Sequence, residues 1–410
     1  MAEQFKSAVL ENGLTIIAEC DPGAHTAAAG FFVKTGARDE DKPLMGVSHF
    51  LEHMMFKGTA RRNADEINRA FDEIGAKSNA YTSSELTAFY AATLPEHLPA
   101  ALDVLSDMMR PALRNEDFGT EKGVILEEIA MYKDDPSWVL YERLAEEHYG
   151  THPLAYRVLG TRESITELAR EHMQGYFDAR YSADNTVLAL AGRVDFDAAV
   201  AQARQACGAW RRTGALRAPL RPAFENRSVE IEDAKVNRAY RMLIAEGPSE
   251  TDDRRYAAAV MALLLGGPDN SLFHWALVEP GLAEEAEASY EPHDGVGDVR
   301  LSVVCEPEKL EEVWGIVERE IAGFEGKIRE SDVRRIAAKI ATGVTLAGER
   351  PEGRMHRLGR SWLALGRYTT LAEELEAYTR VSVEDVRRLL REMPLGPAGR
   401  RTIATMRPSK

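Results

Sequence analysis

Cysteine is scarce in this chain of 410 residues: Cys20, Cys207 and Cys305 are far apart and odd in number. That excludes a disulfide framework. It also excludes a cysteine metal site, because none of the three has ligand spacing, so they read as reduced, buried thiols of a reducing compartment. Basic charge is in deficit, 51 Lys and Arg against 66 Asp and Glu, for a net charge of −15. A nucleic acid or an anionic membrane is therefore a poor main partner, and basic substrates are welcome. Long apolar runs are missing as well. The opening "MAEQFKSAVLENGLTIIAE" has no signal-peptide core, and "YAAAVMALLLGG" (Tyr256 to Gly267) is too short to span a bilayer. The expected location is cytoplasmic, or periplasmic if a signal peptide has been removed.

The remaining composition, 44% hydrophobic and 29% charged, is that of an ordinary globular protein, and 410 residues exceed what one core usually serves. Strand-like text ("SAVLENGLTIIAE", with Asn12-Gly13 as a hairpin turn, and "TAAAGFFVKTGA") precedes helical text around His49. An amphipathic helix ("ADEINRAFDEIGA"), further strands ("KSNAYTSSELTAFYAATL"), a helix ("LPEHLPAALDVLSDMMR"), a helical block over 115–178 and a strand ("NTVLALAGRV") follow. The fold class is thus mixed α/β (α+β). Between Trp210 and Ser228 the Pro- and Arg-rich text reads as an exposed linker. Downstream, "EPEKLEEVWGIVEREIAGFEGKIRESDVRRIAAKI" repeats the apolar spacing of "LPEHLPAALDVLSDMMRPALRNEDFGTEKGVILEEI". The expected organisation is a duplication: domain 1–212, linker 213–228 and a homologous domain 229–410, each with its own sheet and helices.

"HFLEHMMFKGT" carries the chemistry. His49 and His53, four apart, stack on one helix face, and Glu52 flanks the same spot. Phe50, Leu51, Met54, Met55 and Phe56 wrap this helix in apolar side chains, so the histidines and the glutamate are expected to be buried. A divalent cation compensates such burial directly, with Glu52 standing where a general base is needed. Two histidines leave a tetrahedral zinc short of a protein ligand. In "EKGVILEEIAMYKDD", Glu121 and Glu128 are seven apart and share a helix face, whereas Glu127 points about 100° away and ranks below Glu128. A solvated acidic face remains the alternative for this helix.

"HFLEHMMFKGT" followed by "EKGVILEE" resembles the pitrilysin and insulinase family of zinc peptidases, the inverzincins, and in particular the short bacterial and mitochondrial-processing-peptidase branch. "LENGLTIIAE", "GARDE", "NAYTSSELTAFY", "VLGTRESI" and "LLLGGPDNSLF" extend the resemblance over nearly the whole chain. It implies that His49, His53 and Glu128 bind one Zn²⁺ per chain, that Glu52 is the catalytic base, and that Glu121 is a supporting carboxylate. It also implies that Asn79, Ala80 and Thr82 lie on a strand that pairs with an extended peptide. Each domain would be a mainly antiparallel sheet packed with helices, and two chains would close as a clamshell dimer around a chamber admitting small or unfolded polypeptides.

One departure stands out. Active members of the family supply an arginine and, seven residues on, a tyrosine from the second half; aligned on "SLFHWALVEPGLAE", those positions hold Leu277 and Glu284. Neither can hold a developing oxyanion. The expectation is a zinc subunit that needs a related partner carrying the Arg and Tyr, as a heterodimer; a homodimer using other donors is the second option. A non-catalytic structural or peptide-binding core-type subunit is the alternative from a different class. Weaker features are "GGPDNSLF", read as a turn before a helix, the pair His148 and His152, whose helix Gly150 and Pro153 break, and the basic run "RMHRLGR", read as a solvated helix face or a substrate-contacting groove.

Overall fold

The computed structural model describes residues 4–409. The first half runs β1 (Gln4–Val9), β2 (Thr15–Cys20), β3 (Ala27–Val33), α1 (Val47–Met55), α2 (Ala64–Glu73), β4 (Lys77–Thr82), β5 (Thr87–Thr93), α3 (Leu98–Met108), α4 (Asn115–Tyr132), α5 (Pro136–Tyr149), α6 (Arg162–Glu167), α7 (Arg170–Arg180), β6 (Thr186–Gly192) and α8 (Phe196–Cys207). The second runs β7 (Arg227–Asp233), β8 (Ala239–Gly247), α9 (Arg255–Gly266), β9 (Glu285–His293), β10 (Val296–Cys305), α10 (Leu310–Lys327), α11 (Glu330–Gly348), α12 (Pro351–Leu365), α13 (Leu371–Thr379), α14 (Val383–Glu392) and β11 (Arg401–Pro408). Among the described residues no helix is long and apolar enough to cross a membrane, and all three cysteines are buried and unpaired.

The two sheets share a plan. The first has the order β1-β2-β6-β3-β5-β4, and the second β7-β11-β8-β10-β9. In each, one parallel pairing (β2 with β6, β11 with β7) sits beside a run of antiparallel ones. The last five strands of the first sheet therefore match the five of the second in direction and in chain order. The hairpin expected at Asn12-Gly13 forms: β1 pairs antiparallel with β2, and Gly13 takes φ 93°, a left-handed value that suits glycine.

The compact units are not contiguous in sequence. One comprises 1–130, 156–218 and 346–368; the other comprises 131–155, 219–345 and 369–410. Each half thus lends the other a helix: α12 packs on the first sheet and α5 on the second. A division at a linker over 213–228 does not include this exchange, because sequence periodicity reports which face of a helix is buried but not which sheet buries it. The linker itself is anchored in part. Residues 210–226 carry no regular structure, yet the buried Arg217 guanidinium donates to Asp39 at 2.7 Å, and Arg110 stacks 3.8 Å from the Trp210 ring.

Both exchanged helices are held by specific contacts. On α5, Tyr149 donates from its hydroxyl to the buried Asp298 carboxylate of β10 at 2.7 Å, and His148 Nδ1 lies 3.1 Å from Thr402 Oγ1 of β11. On α12, Met355 and Leu358 join the apolar cluster of Ile17, Ala28, Phe32 and Val187 on the first sheet. Gly359 permits that approach: a Cβ there would lie 2.4 Å from the Phe32 ring. Overpacking of this kind costs about 1–3 kcal/mol. Gly359→Ala is therefore expected to lower the urea midpoint by a corresponding amount, and an unchanged midpoint would mean that α12 does not seat on Phe32.

Candidate metal centre

The helix α1 is started by an acid from the preceding loop. Gly46 occupies its N-cap with φ 92°, where a Cβ would lie 2.6 Å from the Leu159 carbonyl oxygen. No side chain of the cap residue is available there, and the buried Glu40 substitutes for it: its two carboxylate oxygens accept from the Gly46 and Ser48 amides, each at 2.7 Å. Burial pushes the Glu40 carboxyl up to about 8, against the opposing pull of those amides. Ser48 Oγ is 2.7 Å from the Tyr176 hydroxyl, which fixes the same turn to α7. Val47, Phe50, Leu51, Met54 and Met55 are buried, leaving His49, Glu52 and His53 to share one side.

On that side the structure brings together His49, His53 and Glu128, whose donor atoms all lie within 4.8 Å of one another; no other such group occurs among the described residues. His49 Nε2 and His53 Nε2 are each 3.7 Å from Glu128 Oε2. Those separations are too long for hydrogen bonds and close to the roughly 3.4 Å between ligand atoms of a tetrahedral zinc with bonds near 2.0–2.1 Å. Two imidazole nitrogens and a carboxylate oxygen converging without a proton between them suit a cation. The tautomers agree: His53 Nδ1 lies 2.8 Å from Glu121 Oε1, a carboxylate oxygen that can only accept, so Nδ1 carries the proton and Nε2 presents its lone pair. Lys57 Nζ holds the other oxygen of the buried Glu121 at 2.6 Å. His49 is pushed down to about 4, mainly by burial and further by His53, so its imidazole is neutral, as a ligand must be. Glu127 is exposed, while Glu128 is half-buried on the face toward the histidines.

Glu52 stands beside this group without joining it. Its Oε2 accepts from Thr82 Oγ1 at 2.6 Å. Burial raises its carboxyl, partly offset by that hydroxyl and by His53. Thr82 ends β4, which is the outer strand of the first sheet. Ala80 and Thr82 point to the α1 side. Asn79, exposed, alternates to the other face and accepts the Ala80 amide on Oδ1 at 2.9 Å. The remaining sequence candidates lie elsewhere. Leu277 is buried in the core of the second unit, and Glu284 pairs with Arg238. His148 and His152 are buried, His152 with Nε2 3.3 Å from the Leu220 carbonyl, and neither belongs to a metal group.

Comparison with known proteins places this chain in a family. Residues 15–162 match the profile described as insulinase (peptidase family M16), and residues 167–340 match the peptidase M16 inactive domain. A protein of Streptomyces coelicolor named as an uncharacterized zinc protease is 33% identical over 94% of this chain and 86% of its own length. A Bacillus subtilis protein with the same description is 30% identical over 95% of both chains. The chain belongs to peptidase family M16. Its fold recurs in a Helicobacter pylori protease (TM-score 0.91, 19% identity, 99% of this chain and 100% of that one). It recurs also in a peptidase M16 inactive domain from Pseudomonas fluorescens (TM-score 0.88, 18% identity, 99% and 98%).

Lys57 and Glu40 were not singled out by the sequence reading, and Thr82 was expected to lie on a strand that pairs with a peptide, not to hold Glu52. Lys57 follows His53 by four residues, just past the end of α1, a spacing that could have signalled it. The Thr82 hydroxyl on Glu52 carried no sequence signal beyond its place in a strand. Glu40 had none, because a cap supplied from outside the helix leaves no fixed spacing. Glu40→Ala strands two buried amides, a loss of about 1–3 kcal/mol each. The variant is expected to melt lower and to lose metal, whereas an unchanged melting temperature would show that α1 does not depend on this cap.

Proposed function

We propose that this chain is the zinc subunit of a zinc-dependent endopeptidase acting on small or unfolded polypeptides. The observation that carries the reading is the convergence of His49 Nε2, His53 Nε2 and Glu128 Oε2 with Glu52 alongside. These three residues would hold one Zn²⁺. Bound there, zinc supplies a Lewis acid that polarises a peptide carbonyl and acidifies a water molecule. Glu52, with Oε2 held by Thr82 and its carboxyl raised by burial, takes the proton of the attacking water on Oε1 and passes it to the leaving amine. Glu121 and Lys57 keep His53 in the ligating tautomer and orientation. Substrate lies extended along the outer edge of β4, next to Asn79, Ala80 and Thr82, with main-chain bonds that demand little of its sequence.

Leu277 and Glu284 support the second half of the proposal, that the site is completed by a homologous subunit supplying Arg and Tyr in a clamshell dimer. We read 1–212 and 229–410 as the two copies of the duplicated half, joined by 213–228. The buried, unpaired cysteines fit a reducing, cytoplasmic compartment. An intact donor set argues against the alternative of a purely structural subunit.

Two experiments bear on these roles. Glu52→Gln is expected to retain stoichiometric zinc and to abolish hydrolysis by the assembled enzyme; cleavage at the parental rate would remove Glu52 as the base. Glu128→Gln is expected to lower zinc content at least tenfold, within the range for losing a ligand or its support, and Glu127→Gln to leave it near the parental level. The reverse order would move the third ligand by one residue.

A further inference from the structure

The helix that the second half lends to the first sheet packs over β6, β3 and β2, and its His356 side reaches toward β5 and β4. Glu352, His356 and Arg360 recur every four residues along α12 and so form one stripe. Its middle residue reaches the two strands nearest the outer edge. The His356 ring sits 4.4 Å from that of Tyr90 and 5.8 Å from that of Tyr81, and the two tyrosines are 6.4 Å apart on the same sheet face. The ends of the stripe are fixed by their charges. The Arg360 guanidinium pulls the Tyr81 hydroxyl down against the rise caused by burial, while Glu352 adds to the rise of Tyr90. Glu352 also lines, with Lys77 at the start of β4, a cavity of about 750 Å³.

Arg360 therefore lies within electrostatic reach of Tyr81, toward the end of β4 that carries Thr82, and Glu352 within reach of Tyr90 and on the cavity that Lys77 also lines, toward the other end. Among the described residues neither side chain has a hydrogen bond or ion pair of its own, and Arg360 is exposed. The spacing matches a strand. Eight helical residues rise about 12 Å, and four strand residues, two steps on one face, span about 13 Å. A peptide paired to the outer edge of β4 turns every second side chain toward this stripe.

We propose that Arg360 and Glu352 read the charge of the substrate, Arg360 selecting an acidic side chain within about three residues of the cleaved bond and Glu352 a basic one about four residues farther along the same strand face. This rests on the β4-edge reading above. A peptide carrying the two charges in that order seats in one register, which sets the bond that is cut; the opposite order meets like charges at both ends. The basic run "RMHRLGR" thus contributes through its last residue: Arg357 is committed to the buried Glu19 and Arg354 to the Gly348 carbonyl.

The test uses zinc-loaded Glu52→Gln protein and fluorescence anisotropy with labelled, unstructured peptides of identical composition. Glu and Lys are placed four residues apart in either order, and the pair is moved along the peptide one position at a time. One order at one position is expected to bind about fivefold tighter than the other, the strength of an exposed ion pair. In the double variant Arg360→Glu, Glu352→Arg the preference is expected to invert. Measurable but equal binding of both orders at every position overturns the proposal while leaving the β4 reading standing, and so does a double variant that shifts both orders by the same factor. Absence of binding by any peptide overturns the β4 reading and this proposal with it.

Discussion

A buried carboxylate, Glu121, is the tie on which the candidate metal centre depends. One of its oxygens faces His53 Nδ1 at 2.8 Å and the other faces Lys57 Nζ at 2.6 Å, so α4 holds both the last turn of α1 and the chain just past its end. The same contact decides chemistry. It places the proton of His53 on Nδ1, leaves Nε2 free to face Glu128, and holds Glu128 opposite because both glutamates ride on one face of α4. Removing the carboxylate would leave the half-exposed Lys57 ammonium and His53 imidazole without their shared acceptor, so the cost falls first on the orientation of His53.

Around that tie the fold supplies rigid supports from several directions. Glu40 caps α1 from the preceding loop, Thr82 holds Glu52 from the end of the outer strand, and the apolar face of α1 is buried. The exchanged helix α12 sets its His356 ring against Tyr81 of β4 and Tyr90 of β5. In a chain whose two sheets share a plan, the exchange of α5 and α12 thus brings second-half residues onto the first sheet. The glycine at 359 is what allows α12 to approach Phe32 closely enough to do this.

Much of this was legible in the sequence because it is local. The pair His49 and His53, the flanking Glu52, and the spacing of Glu121 and Glu128 each follow from one helical repeat, and the strands at 77–82 and 87–93 follow from alternation of β-branched and aromatic residues. What escaped depends on long-range placement. Lys57 could have been read from its spacing to His53, but its partner lies on another helix. Glu40 acts across a loop, Thr82 was expected on a peptide-pairing strand and not on Glu52, and Arg217 looks solvated until Asp39 is brought beside it. The helix exchange is invisible to periodicity, since α5 and α12 present the same amphipathic pattern whichever sheet receives them.

The most direct measurement is anomalous scattering at the zinc edge from crystals of the zinc-loaded chain. The account predicts one peak per chain, about 2.0–2.2 Å from His49 Nε2, His53 Nε2 and a Glu128 oxygen, with Glu52 outside the coordination sphere and still bonded to Thr82. A peak ligated by Glu52 or Glu127 in place of Glu128, or zinc bound away from the two histidines, would contradict it.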